Sequence, residues 1–353
     1  MGEFRKAKNM EFPRSVRIGH DKILESGEIC SDLQFTGPGA IITGSSTYKA
    51  AGRTVEELVA DEGHEVHVIE TDAATSENVD DATEICGECG CRFIMAVGGG
   101  SKIDIAKIVA SRLDVPFVSI PTSVSHDGVA SDRASLKTDN GAKSVLAASP
   151  MGIIADSAII NKAPYRYLAA GCADVISNLT ALMDWEFAVR MRNEEYSSSG
   201  YYISKFAADN IIESAGLIKP HFEESVWMVM RPIIASGVSM CIAGSSRPTS
   251  GSEHMFSHAL DLLHPGSALH GEQCGLGTMM MMKLHGGDWK MVRDALARIG
   301  APTTAAALGI PDQHVIDALV AAKDIRKDRF TILGDWGLTE KAAENLARST
   351  GVI

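Results

Sequence analysis

The stretch GSEHMFSHALDLLHPGSALHGEQCG (residues 251–275) carries His254, His258, His264 and His270, four of the eleven histidines in the chain. Imidazole is the commonest metal-binding side chain and the one best suited to moving protons near neutrality. A single histidine in such a stretch is more often a capping or interior hydrogen-bonding group. Four at this spacing, with the acid-bearing segment GCADVISN (171–178) elsewhere in the chain, point to a site. His254 and His258 stand four apart, so a helix would place both on one face, and both could ligate one ion. The pattern is not that of an HExxH metalloprotease, because Met255 follows His254 where the general-base glutamate would stand. His264 precedes Pro265 at a predicted turn and reads as structural or supporting. Asp184, Glu253, Asp261 and Glu272 are candidates to orient ligating imidazoles through the ring nitrogen that does not face the ion.

A second group of residues suits a phosphate. VGGGSKIDIAK (97–107) follows a predicted strand and opens a predicted helix. Glycines let the backbone approach a ligand closely, and the first N–H groups of a helix favour an anion. The usual GxGxxG fingerprint of a dinucleotide fold is absent, and the first predicted strand ends instead in TGSSTYKAAG (43–52). Glu70 and Asp72, at the end of EVHVIETD, are placed to meet a ribose or simply to face solvent.

The elements that must position these groups fall into two parts. Through the first 160 residues strands alternate with helices: AIITG (40–44), a helix over 48–63, EVHVIE (65–70), a helix over 77–90, FIMAVGGG (93–100), a helix over 101–113 and PFVSIPT (116–122). That alternation predicts parallel βαβ units. Residues 132–156 break the rhythm, and the DNG turn between two β-like runs predicts a hairpin. After Pro164 the pattern is helical throughout. The fold class is therefore α/β: a Rossmann-like parallel-sheet domain over 1–161, followed by an all-α domain over 162–353. TMMMMKL (278–284) reads as a core helix in which methionine fills gaps.

Composition narrows the function. Net charge is −12 with no long basic run, which argues against a nucleic-acid surface. No stretch of eighteen uninterrupted apolar residues marks a membrane span. The basic start MGEFRKAKNMEF has no apolar signal core, so a cytoplasmic location is expected. Seven cysteines, an odd number, read as reduced thiols, and CGECGC (86–91) has no second CxxC to complete a zinc ribbon.

Taken in order, VGGGSKIDIAK, PFVSIPTSVSHDGVASDRAS (116–135), AAGCADVISNLT (169–180), SGSEHMFSHALD and ALHGEQCG resemble the archaeal-type sn-glycerol-1-phosphate dehydrogenases. That family stands among the glycerol dehydrogenases, iron-type alcohol dehydrogenases and dehydroquinate synthases. The resemblance spans roughly residues 15 to 335, and TSVSHDGVAS is its most discriminating block. It implies a dehydroquinate synthase-like fold with the active site in the cleft between the two domains, and the reversible reduction of dihydroxyacetone phosphate to sn-glycerol 1-phosphate with NAD or NADP. It implies one zinc per chain on Asp174, His254 and His270. It places Asp127, Asp174 and His258 at the substrate as catalytic and binding residues. Cofactor contacts carry over onto Gly98, Gly99, Gly100, Ser101 and Lys102 and onto Thr122, Ser123, Val124, Ser125 and Ser131. Three protein ligands leave one zinc position open, the arrangement of a catalytic site. Lys143 and Arg329 are candidates for the substrate phosphate. A homo-oligomer supplying the glycerophosphate backbone of archaeal lipids is the expected assembly and role. A glycerol dehydrogenase-like polyol oxidoreductase is the nearest alternative. A lyase of the dehydroquinate synthase kind would need more lysines and arginines, and a metal-binding protein without turnover is the alternative from a different class.

Overall fold

The computed structural model describes residues 10–138, 141–266 and 268–353. Its first part is built as β1 (Ser15–Gly19), α1 (Ser26–Asp32), β2 (Gly39–Thr43), α2 (Ser45–Thr47), α3 (Arg53–Asp61), β3 (Val66–Glu70), α4 (Ser76–Glu88), β4 (Phe93–Gly98), α5 (Gly100–Leu113), β5 (Phe117–Pro121), β6 (Arg133–Thr138), β7 (Gly141–Leu146) and β8 (Gly152–Asp156). Helices follow: α6 (Ser157–Lys162), α7 (Tyr165–Arg192), α8 (Ser198–Ser214), α9 (Glu223–Ala243), α10 (Ser252–Leu263), α11 (His270–Leu284), α12 (Trp289–Ile299), α13 (Ala305–Leu308), α14 (Asp312–Ile325) and α15 (Glu340–Thr350).

Six strands form one parallel sheet in the order β1-β8-β5-β4-β2-β3. Chain order runs one way from β2 to β3, then the other way through β4, β5 and β8. The reversal falls between β2 and β4, and the crevice beyond the carboxyl ends of strands at such a point is where this class of sheet binds ligands. The glycine turn leaves the end of β4, on the rim of that crevice. Strands β2, β4, β5 and β8 are buried along their whole length, as strands covered by helices on both faces must be. Ile41, Phe93, Met95, Val97, Val118 and Ile154 meet α1 and α3 on one side, while Ala40, Ile42, Ile94 and Ala96 join the larger core on the other.

Three features depart from the sequence reading. Strand β1, with α1 behind it, was not expected. It is a five-residue edge strand whose partner, β8, lies more than 130 residues along the chain, so local patterning carries no trace of the pairing. The hairpin of residues 132–156 is shorter than expected: only β6 and β7 pair antiparallel, and β8 returns to the main sheet. Asp139 and Asn140 of the expected turn lie outside the described residues. The helix expected over 48–63 starts as α2, runs through a π turn at Tyr48–Gly52 and continues as α3.

In the helical part, α7 and α11 lie side by side, and α10 lies against α11 and α14. Met279 to Met282 are buried as expected. One helix among the described residues, α9, is long and apolar enough to cross a membrane. It carries Pro232 inside it and packs against α6, α7 and α8.

Candidate active site

Asp174, His254 and His270 come from three different helices, α7, α10 and α11, and converge. The Oδ1 of Asp174 lies 3.6 Å from Nε2 of His254 and 3.7 Å from Nε2 of His270. This oxygen is buried without a hydrogen-bond partner, an arrangement that costs roughly 1–3 kcal/mol unless something occupies the space in front of it. The other carboxylate oxygen, Oδ2, accepts the backbone N–H of Asp127 at 2.9 Å.

Both imidazoles are oriented from behind. Nδ1 of His254 lies 2.9 Å from Oε1 of Glu253, which also accepts the Gly251 N–H, while Thr180 donates to Oε2. A carboxylate only accepts, so Nδ1 of His254 carries a proton and Nε2 is the ring nitrogen turned to the cluster. For His270 the chain is longer. The amide of Gln273 donates to Asp261, the Ser257 hydroxyl donates to the Gln273 carbonyl at 2.6 Å, and Ser257 Oγ sits 3.0 Å from His270 Nδ1. With its proton committed to Gln273, Ser257 accepts from Nδ1–H, and Nε2 of His270 also faces the cluster as a lone pair. Two imidazoles that turn Nε2 to one centre, and a carboxylate whose orphaned oxygen faces it, suit a divalent cation.

Burial and the neighbouring charge of Asp127 push the Asp174 carboxyl up to about 6, while His254 opposes them. An ion at the cluster would reverse that pressure, since positive charge favours carboxylate.

Of the four supporting acids proposed from sequence, Glu253 bonds a ligand directly and Asp261 acts through Gln273 and Ser257. Asp184 does not touch the cluster. It caps the start of α10 through Ser252 and accepts from His285 and the Ile332 N–H. Glu272 pairs with Arg166 at 2.6 Å and accepts the Leu269 N–H. Ser257 and Gln273 escaped the sequence reading. The only trace they leave there is a serine three residues after His254, on the inner side of the same helix.

Cys274 also escaped it. One donor atom from each of Asp174, His254, His270 and Cys274 lies within 4.8 Å of the others, the one such group among the described residues. Burial pushes its thiol up to about 11, against the pull of His254.

His258 stands apart from that group. Its ring centroid is 6.4 Å from that of His254 and 5.6 Å from that of His270, and its Nδ1 is buried without a partner. Burial, then the positive charges of His254, Arg326 and Arg329, push its pKa down to about 3, so it is neutral at any physiological pH. His264 leaves the cluster altogether and stacks on His314 of α14, with centroids 3.4 Å apart.

The SVSHDG loop joins this cluster to the glycine turn. Thr122 N–H bonds Gly98 O at 3.0 Å. A Cβ on Gly99 would stand 2.9 Å from Ser123 Oγ, and one on Gly100 would strike His126. Beyond the turn the loop presses on the metal-bearing helices. A Cβ on Gly171 would lie 2.9 Å from Val124 O, and one on Gly271 would meet both the Ala170 carbonyl and Ser125 O. These glycines let α7 and α11 approach the loop, and Asp127 then reaches Asp174. The Asp127 carboxylate is positioned by Ser236, whose hydroxyl donates at 2.7 Å and accepts from Asn178.

The other residues carried over are placed less directly. Ser101 lies in the first turn of α5. The Lys102 side chain arches over Gly98, and its ammonium bonds the Asp72 carbonyl across the crevice; burial pushes its pKa down. Ser131 is buried, its hydroxyl 3.2 Å from the ammonium of Lys107, which also bonds the carbonyls of Gly128 and Arg133. Lys107 thus fastens the far end of the loop to α5. Lys143 is exposed on β7, whereas Arg329 is buried, bonded to the Ser250 carbonyl and the Ser246 hydroxyl.

Comparison with known proteins bears on the family and the fold. The iron-containing alcohol dehydrogenase family matches residues 17–164. Glycerol-1-phosphate dehydrogenase [NAD(P)+] from Methanosarcina mazei is 52% identical over 98% of this chain and 97% of its own. The enzyme of that name from Methanothermobacter thermautotrophicus is 51% identical over 98% of this chain and 99% of its own. Among solved structures, glycerol dehydrogenase from Schizosaccharomyces pombe superposes with a TM-score of 0.79 at 19% identity, covering 99% of this chain and 92% of that one. Sulfoacetaldehyde reductase from Bifidobacterium kashiwanohense, in complex with NAD+, superposes with a TM-score of 0.75 at 17% identity, covering 98% and 99%. At such identities the two structures speak for the fold.

Proposed function

The chain belongs to the glycerol-1-phosphate dehydrogenase family, and from that membership we propose that it reduces dihydroxyacetone phosphate to sn-glycerol 1-phosphate with NADH or NADPH, reversibly, as a step toward glycerophosphate lipids. It is an oxidoreductase. The observation that carries the finer reading is the bond from the Asp127 N–H to Asp174, which links the loop of the cofactor turn to the three converging donors.

When bound, the nicotinamide supplies hydride and a zinc ion supplies Lewis-acid polarisation of the ketone. Asp174, His254 and His270 would hold the ion. The turn at Gly98–Lys102, with Ser123 across from Gly99, would seat the pyrophosphate against the start of α5. Thr122 to Ser125 run from that turn toward the cluster and would meet the nicotinamide side of the cofactor. Ser131 would contribute from the buried end of the same loop. Asp127, with one oxygen fixed by Ser236, keeps acceptor capacity for a substrate hydroxyl and would fix which carbonyl face meets the cofactor. His258, neutral and with an unpartnered Nδ1, would bond the substrate and take part in delivering a proton to the product oxygen. The phosphate is better served by Arg329 than by Lys143. Arg329 is close enough to His258 to depress its pKa, and the groups that fix its guanidinium are neutral oxygens. Burial, then the charges of Arg326 and Arg247, push the Arg329 pKa down to about 9, while Asp328 and Glu253 oppose them.

The test is nucleotide oxidation with dihydroxyacetone phosphate against dihydroxyacetone, with NADH and NADPH, and assignment of the product enantiomer. We expect at least a hundredfold preference for the phosphorylated ketone, the size of one strong charge-assisted contact, and product of sn-1 configuration. Equal rates on the two ketones, or sn-glycerol 3-phosphate as product, would refute the proposal and favour a polyol dehydrogenase.

A further inference from the structure

We infer that Cys274 is a fourth protein donor to the cation of the Asp174–His254–His270 cluster, closing its coordination until substrate arrives. The inference rests on the metal reading of that cluster and adds a ligand to it. His270 opens α11 and Cys274 follows four residues later, so both point from one helix face. The sulfur lies 3.6 Å from Nε2 of His270, and it falls within the same 4.8 Å span as the donor atoms of His254 and Asp174. In a tetrahedral zinc site, Zn–N bonds of about 2.0–2.1 Å and a Zn–S bond of about 2.3 Å require N···S separations of roughly 3.5 Å and N···O separations of roughly 3.3 Å. The three measured edges, 3.6, 3.6 and 3.7 Å, are already within a few tenths of an ångström of those values. The widest pair of donors is no more than 4.8 Å apart, so the set closes around an ion by drawing in about 1 Å. An independent observation points to the same centre: Asp174 Oδ1, itself buried, faces it without a partner. Cys274 is fully buried and not in a disulfide.

Binding through sulfur replaces the thiol S–H by an S–metal bond, and the proton leaves to solvent. A thiolate in the set favours zinc or cobalt over magnesium or manganese, which prefer oxygen. It also changes the resting state. The position that three ligands leave open is filled by sulfur in this chain, and substrate oxygen must share or take it.

Metal-stripped full-length protein titrated with Co(II) tests this. Wild type is expected to show the visible bands of four-coordinate cobalt together with intense near-ultraviolet thiolate-to-cobalt charge transfer. Cys274→Ser, whose fold circular dichroism checks, is expected to keep visible cobalt bands, lose the charge transfer and bind zinc at least about tenfold more weakly. Visible bands without charge transfer in the wild-type protein would overturn the inference and leave the three-ligand reading standing. Charge transfer that survives in Cys274→Ser would overturn it too, because another thiol would be the source. If wild type showed no cobalt bands at all, the metal reading itself would fall, and this inference with it.

Discussion

The glycine turn and the donor cluster sit at opposite ends of one loop, and they are built by different means. The turn is made of backbone. Gly98, Gly99 and Gly100 have no side chains to offer, and what matters is the space they leave against Lys102, Ser123 and His126. The cluster is made of side chains carried on three helices, each ring held by a hydrogen-bonded group behind it. A backbone site is sensitive to added volume and indifferent to charge. A side-chain site is sensitive to a single lost donor. Damage to one should therefore leave the other intact, and each variant below measures that independence.

The largest effect is expected at the cluster. His254→Ala, His270→Ala or Asp174→Ala removes one of the converging donors and should empty the site, cutting turnover by roughly a thousandfold or more, since several kcal/mol of charge stabilisation depends on the ion. His258→Ala should keep its zinc and lose turnover or substrate affinity by roughly tenfold to a thousandfold. Bound zinc measured on the purified variants checks this. A metal-free His258→Ala beside a zinc-replete Asp174→Ala would reverse the roles. Cofactor affinity, titrated by fluorescence, should be unchanged in all four.

The converse variant is Gly99→Val. Its Cβ would stand 2.9 Å from Ser123 Oγ, and its methyl groups would fill the approach to the first turn of α5. Overpacking of this kind costs roughly 1–3 kcal/mol, so the cofactor should bind about ten- to a hundredfold more weakly. Zinc content should be normal. A variant that loses zinc along with nucleotide would show that the loop transmits strain from the turn to Asp174, and the two regions would then be one unit.

The two regions also differ in how plainly the sequence announces them. FIMAVGGGSKIDIAK shows its strand, turn and helix by local pattern alone, and β4 and α5 fall within a residue or two of expectation. The histidines are conspicuous by type, and helical spacing brings His254 and His258 to one face. What local pattern does not encode is which donors meet. Asp174 and His270 are nearly a hundred residues apart, and their convergence depends on Gly171 and Gly271 admitting the loop between helices. Family resemblance supplied that pairing where periodicity had none to give. It did not supply Ser257 or Gln273, whose parts are defined only by tertiary hydrogen bonds. Nor did it supply Cys274, which looked like one more reduced thiol although it repeats on α11 the four-residue spacing that made the α10 histidines stand out. Strand β1 was lost for the same reason, since its partner is distant and its pattern too short to read.

The smallest effect is expected from Ser257→Ala, which tests whether the cluster is supported as described. The Ser257 hydroxyl gives its proton to Gln273 at 2.6 Å and so accepts from His270 Nδ1–H at 3.0 Å. That choice of tautomer leaves Nε2 of His270 unprotonated and aimed at Asp174 Oδ1. Alanine at this fully buried position removes the acceptor and adds nothing in its place. The imidazole can then rotate or shift its proton to Nε2, and either movement competes with metal binding. Loss of such an orienting group typically weakens metal affinity by ten- to a hundredfold, and because Glu253 still orients His254 the lower end is expected here. Zinc affinity measured by chelator competition should fall about tenfold. At saturating zinc the rate should return to within a few-fold of wild type, because no group that meets the substrate has changed. Zinc affinity equal to wild type would mean that His270 is held by helix packing alone. A rate that stays low at saturating zinc would give Ser257 a role at the substrate.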